Sequence, residues 1–144
     1  MKKVIFFAAV IAWSLSALAH VSSRLGVDVM EAFPYVMVLH AGLFMLLIPL
    51  IVMLKKNPEI EKYEQQSWNE KMRNPFRFWE IALANCPLAI KILAGICFLY
   101  ATITMATGMT DRNLPVVTFF SGMWMAFYAI ILAISYPFRP KEVL

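Results

Sequence analysis

The sequence predicts an all-α integral membrane protein of four antiparallel transmembrane helices, and three observations carry that expectation. The first is a run of twenty-three residues, Ala32 to Leu54, without a formal charge. As a helix rising about 1.5 Å per residue it covers roughly 34 Å, enough to cross a bilayer with some tilt. The second is composition: 61% of residues are hydrophobic and 15% charged, against roughly 45–50% and about 25% in soluble domains. The third is recurrence. Three further apolar runs, over 4–22, 87–108 and 115–137, alternate with polar connections, so a single membrane domain fills 1–144.

The first run follows Met1-Lys2-Lys3 and can be read in two ways. A cleaved signal peptide would end at Ala17-Leu18-Ala19, a small-x-small pattern, and would leave three spans. A retained helix is favoured. The run is long for a signal core, it carries Trp13, and its small residues Ala9, Ala12, Ser16, Ala19 and Ser23 recur at 3-4-3-4 spacing. That spacing draws one smooth face suited to close helix packing in lipid.

A short polar connection with Arg24, Asp28 and Glu31 leads to the second span, 32–54, which Lys55 and Lys56 stop. Pro34 falls in its tolerated first turn. Pro49, deep inside, removes one backbone hydrogen bond and predicts a kink that frees the Met45 carbonyl.

Residues 55–86 form the longest polar segment, expected as a helical loop in the cytoplasm and the headgroup region. Asn57-Pro58 reads as a helix start, with Glu59 and Glu61 placed favourably against the dipole. The charged stretch through Met72 predicts a solvated helix, and Asn74-Pro75 repeats the start signal. Phe76, Phe78, Trp79, Ile81 and Leu83, mixed with Arg77 and Glu80, suit a helix lying at the membrane interface. A protein-docking surface is the rival reading.

The third span, 87–108, carries Lys91 one turn in, where it can snorkel to the headgroups. Ala94, Cys97, Ala101, Thr104 and Gly108 recur along it at 3-4-3-4 spacing. After a brief turn over 109–114, with Asp111 and Arg112, the fourth span (115–137) carries Gly122, Ala126, Ala129 and Ala133 at 4-3-4. Two neighbouring helices with stripes of small residues should close into an antiparallel hairpin, and the four spans into a bundle.

Eleven basic residues fall on one side of this arrangement: Lys2, Lys3, Lys55, Lys56, Lys62, Lys71, Arg73, Arg77, Lys91, Arg139 and Lys141. Only Arg24 and Arg112 fall on the other. The positive-inside rule then makes both termini and the long loop cytoplasmic, in a plasma membrane expected to be a bacterial inner membrane. Tyr35, Trp124 and Tyr136 lie near span ends as candidate interfacial anchors.

Several functions find no support. The net charge of +4 comes from span ends, which argues against nucleic-acid binding. Cys86 and Cys97, on one helix, would sit about 16 Å apart, beyond disulfide reach. Phosphate-binding glycine loops, HExxH and GxSxG are missing. The spans hold no Asp or Glu in their cores, and no nucleophile and base that visibly converge, so a non-enzymatic protein is expected, without metal or cofactor.

One pair of residues points elsewhere. His20 and His40 fall in roughly the same leaflet on consecutive helices. Two facing imidazoles are the minimum for bis-histidine ligation of haem b, and they can also hydrogen-bond a quinone. The expected role is therefore a structural, accessory or interaction subunit that packs with itself or with a larger membrane complex. The alternative is a haem- or quinone-binding electron-transfer subunit built on His20 and His40, and a small solute transporter ranks third.

Overall fold

The computed structural model describes residues 1–108 and 115–138. The turn over 109–114 and the basic residues Arg139 and Lys141 lie outside them. Every regular element among the described residues is helical: α1 (Lys2–Arg24), α2 (Val29–Ala32), a 3-10 turn (Pro34–Met37), α3 (Val38–Lys55), α4 (Pro58–Glu64), α5 (Trp68–Arg73), α6 (Arg77–Ala82), α7 (Leu88–Gly108) and α8 (Val116–Ile134). Four of these, α1, α3, α7 and α8, are long and apolar enough to span a membrane.

The second apolar run is not one continuous helix. Asp28 caps α2 by accepting the Met30 and Glu31 amides at 3.1 Å each. The helix stops at Phe33, whose backbone turns extended (φ −137°). A proline disfavours helical geometry in the residue before it, and Pro34 follows directly. Helix α3 therefore starts only at Val38 and, at eighteen residues, measures roughly 27 Å. It then runs through Pro49 without a break. Upstream, Gly26 at φ +82° supplies the left-handed conformation that turns the chain out of α1.

The polar segment also differs in detail. Asn57 caps α4 by accepting the Glu59 amide at 3.0 Å. The single solvated helix expected through Met72 is two, because Ser67 and Glu70 build a reciprocal capping box that starts α5. Asn74 does not start a helix with its side chain; it ends α5, and α6 begins after Phe76. Arg77 ties the segment together, pairing with Glu80 at 3.2 Å and Glu59 at 3.9 Å.

Helix α8 is the element around which the others pack. Of its most apolar stretch 61% is buried, against 33%, 17% and 22% for α1, α3 and α7. Its most extensive contacts are with α1 and α7, with a smaller one to α3. The partners of α1 on α8 run in reverse order, from Ser23 beside Thr118 to Phe6 beside Tyr136. Those two helices are therefore antiparallel.

The sides of α8 differ in chemistry. Toward α1 and α3 it presents large side chains, with Trp124, Tyr128 and Ile131 meeting Ile5, Phe6, Leu39, Leu43 and Leu50. Toward α7 it presents alanines: Ala126, Ala129 and Ala133 bury Ala94, Cys97 and Ala101. Thr104 on α7 and Gly122 on α8 are buried as well, whereas Gly108 is partly exposed. Small side chains let two backbones approach closely, and the resulting dispersion contacts hold the pair.

Candidate functional site

The polar side chains inside this arrangement gather where α1, α7 and α8 meet. On α1, Ala19 and His20 are buried, as is Ser23 one helical turn on. His20 is turned into α8, where its Nδ1 lies 3.1 Å from the Thr118 carbonyl and 3.0 Å from Ser121 Oγ. Its Nε2 lies 2.7 Å from the Tyr100 hydroxyl of α7, and the two rings meet edge to face, their planes at 89°.

A carbonyl can only accept. The arrangement that bonds every group therefore has Nδ1–H donating to Thr118 and the Tyr100 hydroxyl donating to Nε2. Ser121 Oγ–H then donates to the same Thr118 carbonyl at 3.2 Å. One turn further out, the Ser23 and Thr118 hydroxyls hydrogen-bond to each other. Gly122 lies against the ring, where a Cβ would stand in ordinary contact, 3.4 Å from His20 Cε1.

His40 also faces α8, but on a different side. Its Nδ1 accepts the Trp124 indole N–H at 3.0 Å, which leaves the proton on Nε2. Its ring packs on Phe44 and Phe120 with centroids 5.6 and 5.8 Å away. Phe120 and Trp124 stand about a third of a turn around α8 from Thr118, Ser121 and Gly122. The structure thus brings each histidine to α8 and does not bring the two imidazoles face to face.

This geometry bears on the chemistry each ring can perform. An axial haem ligand needs a free ring-nitrogen lone pair. Those of His20 and His40 are taken by Tyr100 and Trp124, so ligation by either ring costs a hydrogen bond. Among the described residues no three His, Cys, Asp or Glu side chains gather closely enough to hold a metal ion. Cys86 and Cys97 are both buried and free. Burial pushes the Cys86 thiol up from its ordinary value, with the Lys91 charge acting weakly against it.

Sequence reasoning missed Tyr100, Thr118 and Ser121, and it expected Trp124 as an interfacial anchor, whereas Trp124 is fully buried and bonds to His40. It looked for ionisable groups inside the spans, and these residues are unremarkable by type. The available signal was position: Thr118 and Ser121 are one turn apart and flank Gly122. Ser121 Oγ and His20 Nδ1 do stand within hydrogen-bonding distance, but with Nδ1–H donating to Thr118 that nitrogen has no lone pair to take the Ser121 proton. Ser121 is fully buried, so a substrate would reach it only if α1 and α8 parted.

A third polar contact sits between α3 and α8. The Tyr128 hydroxyl donates to the Leu39 carbonyl at 2.5 Å. Gly42, one turn along α3, leaves the space this hydroxyl occupies, since a Cβ there would lie 2.7 Å from it. A scan against protein-family models, a search of curated proteins and a search of solved structures each found no match to this chain.

Proposed function

We propose that the chain is a small multi-pass membrane protein with a non-enzymatic, structural or accessory role. In this reading α1, α3, α7 and α8 cross the membrane as an antiparallel bundle, with α1 retained and with both termini and the 55–86 loop in the cytoplasm. The supporting observation is the distribution of side chains. Ser16, His20, Ser23, Thr104, Thr118, Ser121 and Ser135 are buried, while Ile11, Leu18, Met45, Ile48, Ile96 and Leu99 stand well exposed. In water such apolar faces would drive aggregation. In hydrocarbon the same pattern is favourable, because polar groups must find partners inside and large apolar groups are at home outside.

The role is that of a subunit that associates with itself or with a larger membrane complex. The basic side chains at the α1 start, after α3 and along the loop support the orientation. Two measurements test the proposal. Cysteine placed at position 111 should be labelled from outside the cell and cysteine at 65 only after the membrane is opened; external labelling at 65 overturns the orientation. Mild crosslinking followed by mass spectrometry should recover the chain in an assembly, and a strictly monomeric product overturns the accessory role.

One observation favours a second reading, that of a quinone- or haem-binding electron-transfer subunit. His40 Nε2–H has no hydrogen-bond partner among the described residues and stands in an aromatic setting. A donor of that kind suits a quinone carbonyl better than it suits ferric haem. A sharp reduced-haem spectrum in the purified protein, lost in His20→Ala and in His40→Ala, would establish the haem form. Saturable quinone binding lost only in His40→Ala would establish the other.

A further inference from the structure

At the end of the molecule opposite the histidines, α1, α3, α6 and α8 surround a cavity of about 260 Å³. Its polar wall is Lys2, Lys56, Asn57 and Asn85, and its apolar wall includes Leu54 and Ile134. No carboxylate among the described residues lines it. The nearest in sequence, Glu80 and Glu59, both face the Arg77 guanidinium, at 3.2 and 3.9 Å. Neither Lys2 nor Lys56 forms an ion pair among the described residues. Asn57 has its Oδ1 committed to the Glu59 amide, which orients the carboxamide and leaves its N–H groups to donate. The lining therefore combines two lysines without an ion pair among the described residues and an asparagine whose amide N–H groups its cap does not use, with hydrocarbon on the other side. That is the chemistry of a phosphate carrying an apolar tail.

We infer that this cavity binds the phosphate group of an anionic phospholipid, with Lys2 and Lys56 as its counter-ions. The inference rests on the reading that the four long helices cross a bilayer, which sets the cavity at headgroup depth where α1 begins and α3 and α8 end. Lys56 follows α3 directly and Asn57 opens α4, while Ile81 and Ala82 close α6. A lipid held here touches three spans and the loop at once, and so fixes where the loop helices sit against the membrane. Basic pockets between spans on the cytoplasmic side are suited to anionic headgroups, and a basic side chain near such a surface strengthens binding by about 1 kcal/mol, or roughly fivefold.

The test uses the full chain, delipidated in neutral detergent, with bound lipid counted by native mass spectrometry. Phosphatidylglycerol should be retained in preference to phosphatidylcholine. Lys2→Gln and Lys56→Gln should each weaken retention about fivefold. The charge-keeping pair Lys2→Arg/Lys56→Arg should retain the lipid, and Lys62→Gln, which removes a loop lysine outside the cavity, should bind as the parent does.

Equal retention by the Lys2→Gln/Lys56→Gln pair overturns the site, as does equal retention of the two lipids. Full displacement by millimolar inorganic phosphate overturns the lipid assignment in favour of a free phosphate. Loss of binding in the arginine pair overturns the charge argument. Alkaline carbonate extraction reads the underlying premise separately: a chain released from membranes overturns the membrane reading itself. Lysine-independent binding by a chain that stays in the membrane overturns only the cavity's role.

Discussion

Replacing Gly42 with alanine should destabilise the protein, and the structure says by what route. The added Cβ would stand 2.7 Å from Tyr128 Oη, well inside ordinary van der Waals contact, with the next ring atom at 3.9 Å. Tyr128 is fully buried and its hydroxyl is held by the Leu39 carbonyl, so it has nowhere to swing. Overpacking of this kind costs about 1–3 kcal/mol. The gain from replacing a mid-helix glycine returns about 0.5–1 kcal/mol, so the net loss should be roughly 1–2 kcal/mol. Tyr128→Phe alone should cost about 1 kcal/mol, one hydrogen bond, because the Leu39 carbonyl keeps its helical partner. With the hydroxyl gone the clash is gone. Gly42→Ala in the Tyr128→Phe background should then be neutral or slightly stabilising. The assay is a double-mutant cycle on reversible unfolding in bicelles, followed by tryptophan fluorescence. Additivity of the two changes within about 0.5 kcal/mol would refute the reasoning, since residues in direct contact must couple by more than that.

The α7–α8 seam gives a second expectation: Ala101→Leu or Ala126→Leu should cost about 1–3 kcal/mol by forcing the helices apart, whereas Ile103→Leu, on an exposed face, should be nearly silent in the same unfolding assay. Tyr100→Phe should cost about 1–3 kcal/mol, because it strands the buried His20 Nε2, and Ser23→Ala should cost less than that. For pH, the Ser67 amide and hydroxyl hold the Glu70 carboxyl below its usual range. A depressed carboxyl contributes stability above its unfolded pKa and loses it as pH falls through the folded value. The first turn of α5 should therefore fray in acid, read from the Ser67 amide resonance, and Glu70→Gln should remove that pH response.

What the sequence reveals here follows from the solvent it implies. Four long apolar helices were legible because hydrocarbon demands uninterrupted helices of a set length. Ala94, Cys97, Ala101, Ala126, Ala129 and Ala133 belong to one buried cluster, whereas Gly108 is partly exposed. The break at Phe33–Pro34 was not anticipated. Apolar patterning places Pro34 in a tolerated first turn, whereas the decisive effect is the restriction it puts on Phe33 before it. The Ser67–Glu70 capping box was readable from its spacing and went unread. The surroundings of His20 and His40 were beyond periodicity. Which way each ring turns depends on how α1 and α3 are rotated against α8, and that rotation is set by Trp124, Tyr128 and Gly122 jointly, not by any one span.

The central position of α8 has a consequence for how the protein is made. It leaves the ribosome after the other three long helices, yet it supplies the main contacts of α1 and α7. Ser23 waits 95 positions for Thr118 and His20 waits 101 for Ser121. Until then His20 lacks both of its α8 partners, Thr118 and Ser121, and α7 lacks the alanine face it packs against. Loop closure over that distance adds only a logarithmic entropic cost, so the finished assembly is stable. The delay, however, is unavoidable. If the four long helices cross a bilayer as proposed, a chain stalled before Val116 has its first three spans without the helix that α1 and α7 pack against.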